Sequence, residues 1–113
     1  MLARANRVTR PDDFRAIVRR GRRIGTPHAV VHVLVGDPAG PSRFGFIVSK
    51  AVGGAVTRNL VRRRLRAVCR DILPAVSRGR DVVIRPLPGS DQVDWATLHD
   101  EIADGIDRGV RKG

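Results

Sequence analysis

One stretch, residues 49–70, restricts the fold of this chain more than any other. It reads SKAVGGAVTRNLVRRRLRAVCR, a glycine-bearing turn followed by a long run without glycine or proline. At about 100° per residue, one arc of a helix over this run is wholly apolar. A helix with such an arc packs on a hydrophobic core. The apolar arc consists of Val61, Leu65, Val68 and Ile72.

The opposite side of the same helix is basic and carries no acidic residue. Six arginines lie between residues 58 and 70, and no acid appears until Asp71. A solvated helix face ordinarily mixes both signs, because pairs of opposite charge one turn apart stabilise it. A face that repels itself therefore predicts a polyanionic partner. The residues predicted to contact it are Lys50 at the entry, then Arg58, Asn59, Arg62, Arg63, Arg66 and Arg70.

The net charge of +11 is concentrated in the first part of the chain. Residues 1–80 hold 18 Lys and Arg against four Asp and Glu, a net of +14, whereas residues 81–113 hold four against seven, a net of −3. This distribution points to a nucleic acid or another anionic surface. A length of 113 residues with 42% hydrophobic content predicts a single domain, 1–113, with basic tails at 1–8 and 108–113.

The chain offers few groups for chemistry of its own. The single cysteine, Cys69, excludes an internal disulfide and a cysteine-ligated zinc site, and is predicted to be a small buried thiol. The histidines are scattered, and no carboxylate cluster suits a metal, so neither a catalytic residue nor a metal site is predicted. No apolar run is long enough for a membrane span, and no secretory signal is present, so we expect a cytoplasmic protein. The acidic residues are assigned to the start of the first helix (Asp12, Asp13) and to the exposed side of the last (Asp100, Glu101, Asp104).

Hydrophobic periodicity and turn residues predict an α+β fold with the order α-β-β-β-α-β-α. Helices pack against one small mixed sheet of about four strands. The strands at 28–35 and 43–49 are predicted to form an antiparallel hairpin around the turn 36–42. Thr57 and Asp94 are the predicted N-caps of the central and last helices. The remaining elements are a first helix from Pro11 to Gly21, a short edge strand at 22–25 and a strand at 81–85.

Aromatic residues for base stacking are few, and there is no tyrosine. Trp95 continues the apolar stripe of the last helix and is interpreted as a core residue. Phe44 and Phe46 share a strand face, so at least one is expected in the core. Phe14 suits a core role and a stacking role equally. The sequence thus favours recognition of RNA backbone and shape over base readout.

The segment VSKAVGGAVTRNLVRRRLR, residues 48–66, resembles the signature of the bacterial ribonuclease P protein subunit. That family has a V-S-K strand end, a glycine-containing turn and an Arg-Asn-Arg motif followed by more basic positions. NRVTRPDDFRAIVRRG resembles its opening helix and DVVIRPLP its last strand, so the resemblance covers about residues 6–107. It implies a fold like the second domain of the small-subunit ribosomal protein five. That fold has a left-handed β-α-β crossover, although general rules favour the right-handed form.

The resemblance also implies a function. In that family the catalyst is an RNA, and the small basic protein binds this RNA and the 5′ leader of precursor tRNA. It supports Mg²⁺-dependent cleavage that frees the mature 5′ end, with the Mg²⁺ held mainly by the RNA and one protein monomer per RNA. Arg58, Asn59, Arg62, Arg63 and Arg66 match the basic-helix positions of the family. The leader-binding cleft between the first helix and the open sheet face is matched by Phe14, Val18 and His32.

Two departures from the family pattern stand out. Leu60 occupies the place of the second arginine of the motif, and is interpreted as packing beside the apolar arc while Arg62 or Arg64 supplies the charge. Val18 and His32 stand where aromatic residues are frequent, which leaves Phe14 as the main stacking candidate. The alternatives are a structural rRNA-binding protein of ribosomal type without a leader cleft, and, more remotely, an independent nuclease.

Overall fold

A computed structural model of the chain describes residues 2–111, and its elements follow the predicted order. The predicted α+β class and four-stranded mixed sheet are confirmed. Within the described residues, no helix is both long and apolar enough to cross a membrane. The helices and strands are α1 (Pro11–Arg20), β1 (Arg22–Gly25), β2 (Ala29–Val35), β3 (Arg43–Phe46), α2 (Ala55–Ile72), β4 (Arg80–Pro86) and α3 (Trp95–Arg111).

The strand order in the sheet is β1-β2-β4-β3, so the predicted hairpin of β2 with β3 is wrong. Strand β4 lies between them, antiparallel to β2 and parallel to β3. Val35 at the end of β2 pairs with Arg80, and Arg43 at the start of β3 pairs with Asp81. The connector 36–42 therefore crosses over the start of β4 to reach its other side.

Hydrogen bonds fasten this connector to the segment that leads into β4, although a short turn also closes within it, where the N–H of Gly40 donates to the carbonyl of Asp37 at 2.9 Å. The backbone N–H of Gly36 donates to the carbonyl of Gly79 at 2.6 Å. The hydroxyl of Ser42 donates to the carbonyl of Ser77 at 2.6 Å and accepts from the backbone N–H of Arg80 at 3.1 Å. Polar groups at both ends of the connector are thus satisfied by the segment that leads into β4.

Helix α2 links the parallel strands β3 and β4, which makes β3-α2-β4 the crossover unit of the fold. The left hand of this crossover stays a prediction. Helix α2 begins at Ala55 with Gly54 as its N-cap, so the predicted capping role of Thr57 is wrong. Gly53 before it has φ of 153°, and a Cβ there would lie 2.8 Å from Cγ2 of Thr57. Only glycine suits this entry turn.

The sheet separates two clusters of buried side chains. Helices α2 and α3 cover one face, where the whole predicted apolar arc of α2 is buried against alternate residues of β2 and β4. Helix α1 covers part of the other face, where Ile17 packs with Val8 and Val83. The predicted core role of Phe44 is confirmed, since it is 1% exposed. Surfaces on α1 and on α2 therefore lie on opposite sides of the sheet.

The chain termini differ from simple tails. Leu2 and Val8 are buried, and the side-chain amide of Asn6 donates to the carbonyl of Ser42 at 2.8 Å. Residues 2–8 thus pack on the body of the protein. At the other end, residues 108–111 belong to α3, and the rest of the predicted tail, 112–113, lies outside the described residues. The predicted N-cap of α3 is confirmed, because Asp94 Oδ1 accepts from the N–H of Thr97 at 2.8 Å, a bond that lowers the pKa of Asp94.

Candidate nucleic-acid interface

The predicted phosphate-contacting residues lie along the outer side of α2. Asn59, Arg63 and Arg70 are exposed. Arg58, Arg62 and Arg66 are half-buried. Lys50 is exposed in a short 3-10 turn just before the helix. The structure thus presents all seven on and beside one element.

Hydrogen bonds divide the arginines of α2 into two groups. Arg64 Nη1 donates to the carbonyls of Val93, at 2.7 Å, and Asp91, at 3.4 Å. Arg64 therefore fastens the segment before α3, which leaves Arg62 as the candidate to supply charge beside Leu60. Arg62 Nη1 donates to Asn59 Oδ1 at 3.0 Å and stays on the outer side.

Three arginines of α2 line one groove and keep their guanidinium groups available, and the side chain of Arg58 also makes no bond within residues 2–111, although its Nε is buried. Within residues 2–111, no hydrogen bond or ion pair engages the side chains of Arg63, Arg66 and Arg70. Other arginines are paired; Arg43, for example, bonds Asp81 at 2.9 Å. An unpaired guanidinium retains its full set of donors for a phosphate.

Leu60, interpreted as packing beside the apolar arc, lies partly exposed at the edge of that arc. It is 40% exposed, and Val56, one turn earlier, is 85% exposed. The two side chains leave an uncharged apolar strip beside the arginines. The local sequence pattern does not show that these two side chains are exposed, because their exposure depends on where the neighbouring elements end.

The interpretation of Trp95 as a core residue is also wrong. Its side chain is 42% exposed, although Leu98 and Ile102 on the same stripe are fully buried. Trp95 is the first residue of α3, ahead of the part of the helix that the sheet covers. It lines a groove of about 520 Å³ together with Arg63, Arg66 and Arg70.

A second surface lies across the sheet, beside α1. Phe14 and Val18 line a shallow cavity of about 360 Å³ together with Ile47 and the stems of Arg15 and Arg19. Two of the three predicted cleft residues are thus brought together. Ile47, which is 37% exposed, was missed by sequence reasoning. Strand alternation from Arg43 through Gly45 places Ile47 on this face, and would have identified it.

The third predicted cleft residue, His32, is buried beneath the same face. It is 6% exposed and does not line the cavity. Its neighbours in the sheet are Arg23 on β1 and Val83 on β4. Burial lowers the pKa of His32, and the charges of Arg23 and Arg85 lower it further. Both effects favour the neutral form of the imidazole.

Glu101 and Cys69 have structural roles. Glu101 is half-buried rather than exposed as predicted: its Oε2 lies 2.9 Å from Nδ1 of His28, and its Oε1 accepts the backbone N–H of His28 at 3.1 Å. Cys69 is buried as predicted, and burial raises the pKa of its thiol. Among residues 2–111, no group of three or more His, Cys, Asp or Glu is arranged to hold a metal ion.

Comparison with known proteins decides what kind of protein carries these surfaces. A sequence profile of the family described as ribonuclease P matches residues 2–109. The chain belongs to the ribonuclease P protein family. The ribonuclease P protein component of Clavibacter michiganensis subsp. michiganensis is 57% identical over 111 residues, covering 98% of each chain. That of Streptomyces avermitilis is 47% identical over 116 residues, covering 96% of this chain and 94% of the relative.

A solved structure agrees with the fold of this ribonuclease P family member. The ribonuclease P protein of Staphylococcus aureus superposes with a TM-score of 0.81 at 20% identity, covering 93% of this chain and 95% of the other. The prediction of a ribonuclease P protein subunit is confirmed. The alternative of a structural rRNA-binding protein of ribosomal type is not favoured by these matches.

Proposed function

We propose that this protein binds the catalytic RNA of ribonuclease P and the 5′ leader of precursor tRNA, and so assists endonucleolytic removal of the leader. The observation that carries the proposal is the presence of two different RNA-suited surfaces on opposite faces of one sheet. One is the outer side of α2 with its unpaired guanidiniums. The other is the cavity between α1 and β3.

The outer side of α2 suits a folded RNA. Arg63, Arg66 and Arg70 can each donate to a phosphate oxygen without breaking a bond within residues 2–111. Asn59 and Arg62, bonded to each other at 3.0 Å, extend this surface towards the start of the helix. Phosphate contacts of this kind supply affinity and orientation without reading sequence.

The cavity beside α1 suits an unpaired strand. Phe14, Val18 and Ile47 give it an apolar floor, on which bases can stack or pack. Arg15 and Arg19 lie at its edge, where a sugar–phosphate backbone would run. Arg15 pairs with Asp12, whereas no bond within the described residues engages the side chain of Arg19. The 5′ leader is the part of a precursor tRNA that is single-stranded and could bind in this way.

We assign the reacting groups and the Mg²⁺ to the RNA partner, and one protein monomer to each RNA. What supports the assignment is that the described residues offer no cluster of ligands for a metal ion. Hard cations such as Mg²⁺ need several oxygen ligands, which RNA phosphates supply. A cytoplasmic location, where tRNA precursors are made in bacteria, goes with this role.

Reconstitution with the cognate RNA subunit and a precursor tRNA tests the function. We expect the protein alone to leave the precursor intact, and to lower the Mg²⁺ concentration that the RNA requires for cleavage. Precursor tRNA cleaved by RNA-free protein would overturn the proposal. So would an unchanged Mg²⁺ requirement in the presence of folded protein.

Photocrosslinking tests the cleft. A photoreactive group at position 14 or 18 should label the 5′ leader within the assembled complex, because Phe14 and Val18 line the cavity. A matched probe at Ala39, exposed on the connector 36–42, should not label it. Labelling of folded rRNA alone from positions 14 and 18 would support the ribosomal-type alternative instead.

A further inference from the structure

Trp95 has an unusual environment for a tryptophan in a small domain. It is the only tryptophan of the chain, and 42% of its side chain is exposed. Tryptophan carries a large apolar area and is enriched at binding interfaces, so a half-exposed indole beside a groove is a candidate contact residue. The groove beside it, of about 520 Å³, is not used by the leader cleft.

The indole is held in place from within the protein. Its ring centroid lies 4.9 Å from that of His99, with the planes tilted by 39°. Nε2 of His99 in turn lies 2.7 Å from Oδ2 of Asp71, which belongs to α2. This chain of contacts joins α3 to α2 and restricts the rotation of the indole. A restricted aromatic ring loses little conformational entropy when a ligand stacks on it.

The other wall of the groove is cationic. Arg63, Arg66 and Arg70 line it, and no bond within residues 2–111 engages their side chains. Asp71 is the acid of the groove, and its carboxylate lies against His99. An aromatic ring in the same groove as unpaired guanidiniums matches the two halves of a nucleotide, a flat base and an anionic phosphate.

We propose that Trp95 is a stacking platform for one unpaired base of the catalytic RNA, with the adjoining phosphates held by Arg63, Arg66 and Arg70. This rests on the proposed function. The catalytic RNA is chosen over the leader because the groove lies on the α2–α3 face of the sheet, opposite the cavity of Phe14 and Val18. Guanidiniums bind carboxylates and phosphates alike, so an RNA is favoured over an acidic peptide because a nucleotide also offers a flat base for the indole.

Trp95 supplies its own optical probe. Because the chain has one tryptophan and no tyrosine, its intrinsic emission reports on this position alone. We expect titration of the full-length protein with the cognate catalytic RNA to quench that emission. Precursor tRNA alone should leave it unchanged. Quenching by precursor tRNA and not by catalytic RNA would refute the assignment to the catalytic RNA.

Two substitutions separate stacking from simple apolar contact. Trp95→Leu should weaken binding of the catalytic RNA about tenfold, since a leucine has no ring for a base to stack on. Trp95→Phe should stay within about threefold of the wild type. The salt dependence of binding should be the same in both variants, because no phosphate contact is lost. Unfolding midpoints in urea confirm that each variant is folded.

Three further outcomes of the RNA measurements would overturn the inference. They are wild-type affinity in folded Trp95→Leu, equal weakening of the Leu and Phe variants, and unquenched emission in a complex that cleaves precursor tRNA. In the last case the proposed function stands and only the stacking site fails. Absence of any RNA binding by the wild type would instead remove the proposed function. Quenching by an acidic peptide but not by RNA would identify the groove as a protein site.

Discussion

The ring of Phe14 on α1 lies directly on the backbone of Gly45 on β3. A Cβ placed on Gly45 would stand 2.5 Å from Cε1 and 2.7 Å from Cζ of this ring, and 3.0 Å from Cβ of Val8. Any side chain at position 45 would therefore push the ring away from the sheet. The absence of a side chain thus decides how deeply Phe14 can sit, and with it the floor of the proposed leader cleft.

Substitution Gly45→Ala tests this packing. We expect the free energy of unfolding to fall by about 1–3 kcal/mol, because the new methyl group overpacks a filled site. Gly25→Ala is the matched control in β1, where a Cβ would meet no atom within 4 Å, and it should change stability by less than about 0.5 kcal/mol. Urea unfolding measures both. Equal effects of the two substitutions would show that the Phe14 ring gives way freely.

The unpaired arginines of α2 should determine the salt dependence of RNA binding. The double substitution Arg63→Ala, Arg66→Ala should weaken binding of the catalytic RNA. It should also reduce the slope of log affinity against log salt by about two, about one for each lost phosphate contact. The control is Arg108→Ala with Arg111→Ala, which removes the same charge from residues paired with Asp104 and Asp107. If both double substitutions reduce the slope equally, only net charge matters, and the assignment of α2 as the contact surface is wrong.

Arg64 should matter for stability rather than for RNA. Its bonds to the carbonyls of Val93 and Asp91 hold the segment that leads into α3. We expect Arg64→Ala to lower the free energy of unfolding by about 1–2 kcal/mol. Arg63→Ala, on the exposed side of the same turn, should change it by less than about 0.5 kcal/mol. Denaturation in urea gives the comparison, and an inverted order would contradict the division of the two arginines.

His32 should make stability depend on pH. Its pKa in the folded protein is lowered by burial and by the charges of Arg23 and Arg85, whereas the unfolded chain takes up this proton near about pH 6.5. The unfolded state therefore binds more protons below this value. The stabilising contribution of neutral His32 is present above about pH 6.5 and is lost as pH falls from there towards the folded pKa.

Two measurements check this sign. The fall in unfolding free energy between about pH 7.5 and about pH 5.5 should be smaller in His32→Leu than in the wild type. In an NMR titration of the ring protons, Arg85→Ala should raise the pKa of His32, while Arg78→Ala, which is not among the causes of the shift, should not. A pKa of His32 at or above about 6.5 in the wild type would refute the burial of its neutral form.

The features that depended only on neighbouring residues were predictable. The apolar arc of α2 and its six arginines are set by the helical repeat, and the segment 48–66 carried the family resemblance. Capping by Asp94 was likewise predictable, because the N-cap bond joins residues only three positions apart. Phe14 and Val18 were predicted as cleft residues through the resemblance, and both line one cavity in the structure.

What the tertiary structure decided concerns groups far apart in the chain. Periodicity shows which side of an element is apolar, but not which element covers it or how far that cover extends. β4 therefore lies between β2 and β3, where local pattern predicted a hairpin. For the same reason Trp95 is exposed at the end of a stripe whose other members are buried. The sequence alone determined that α2 is a basic helix on a core, and only the packing of α3 against it determined that three of its arginines share a groove with an indole.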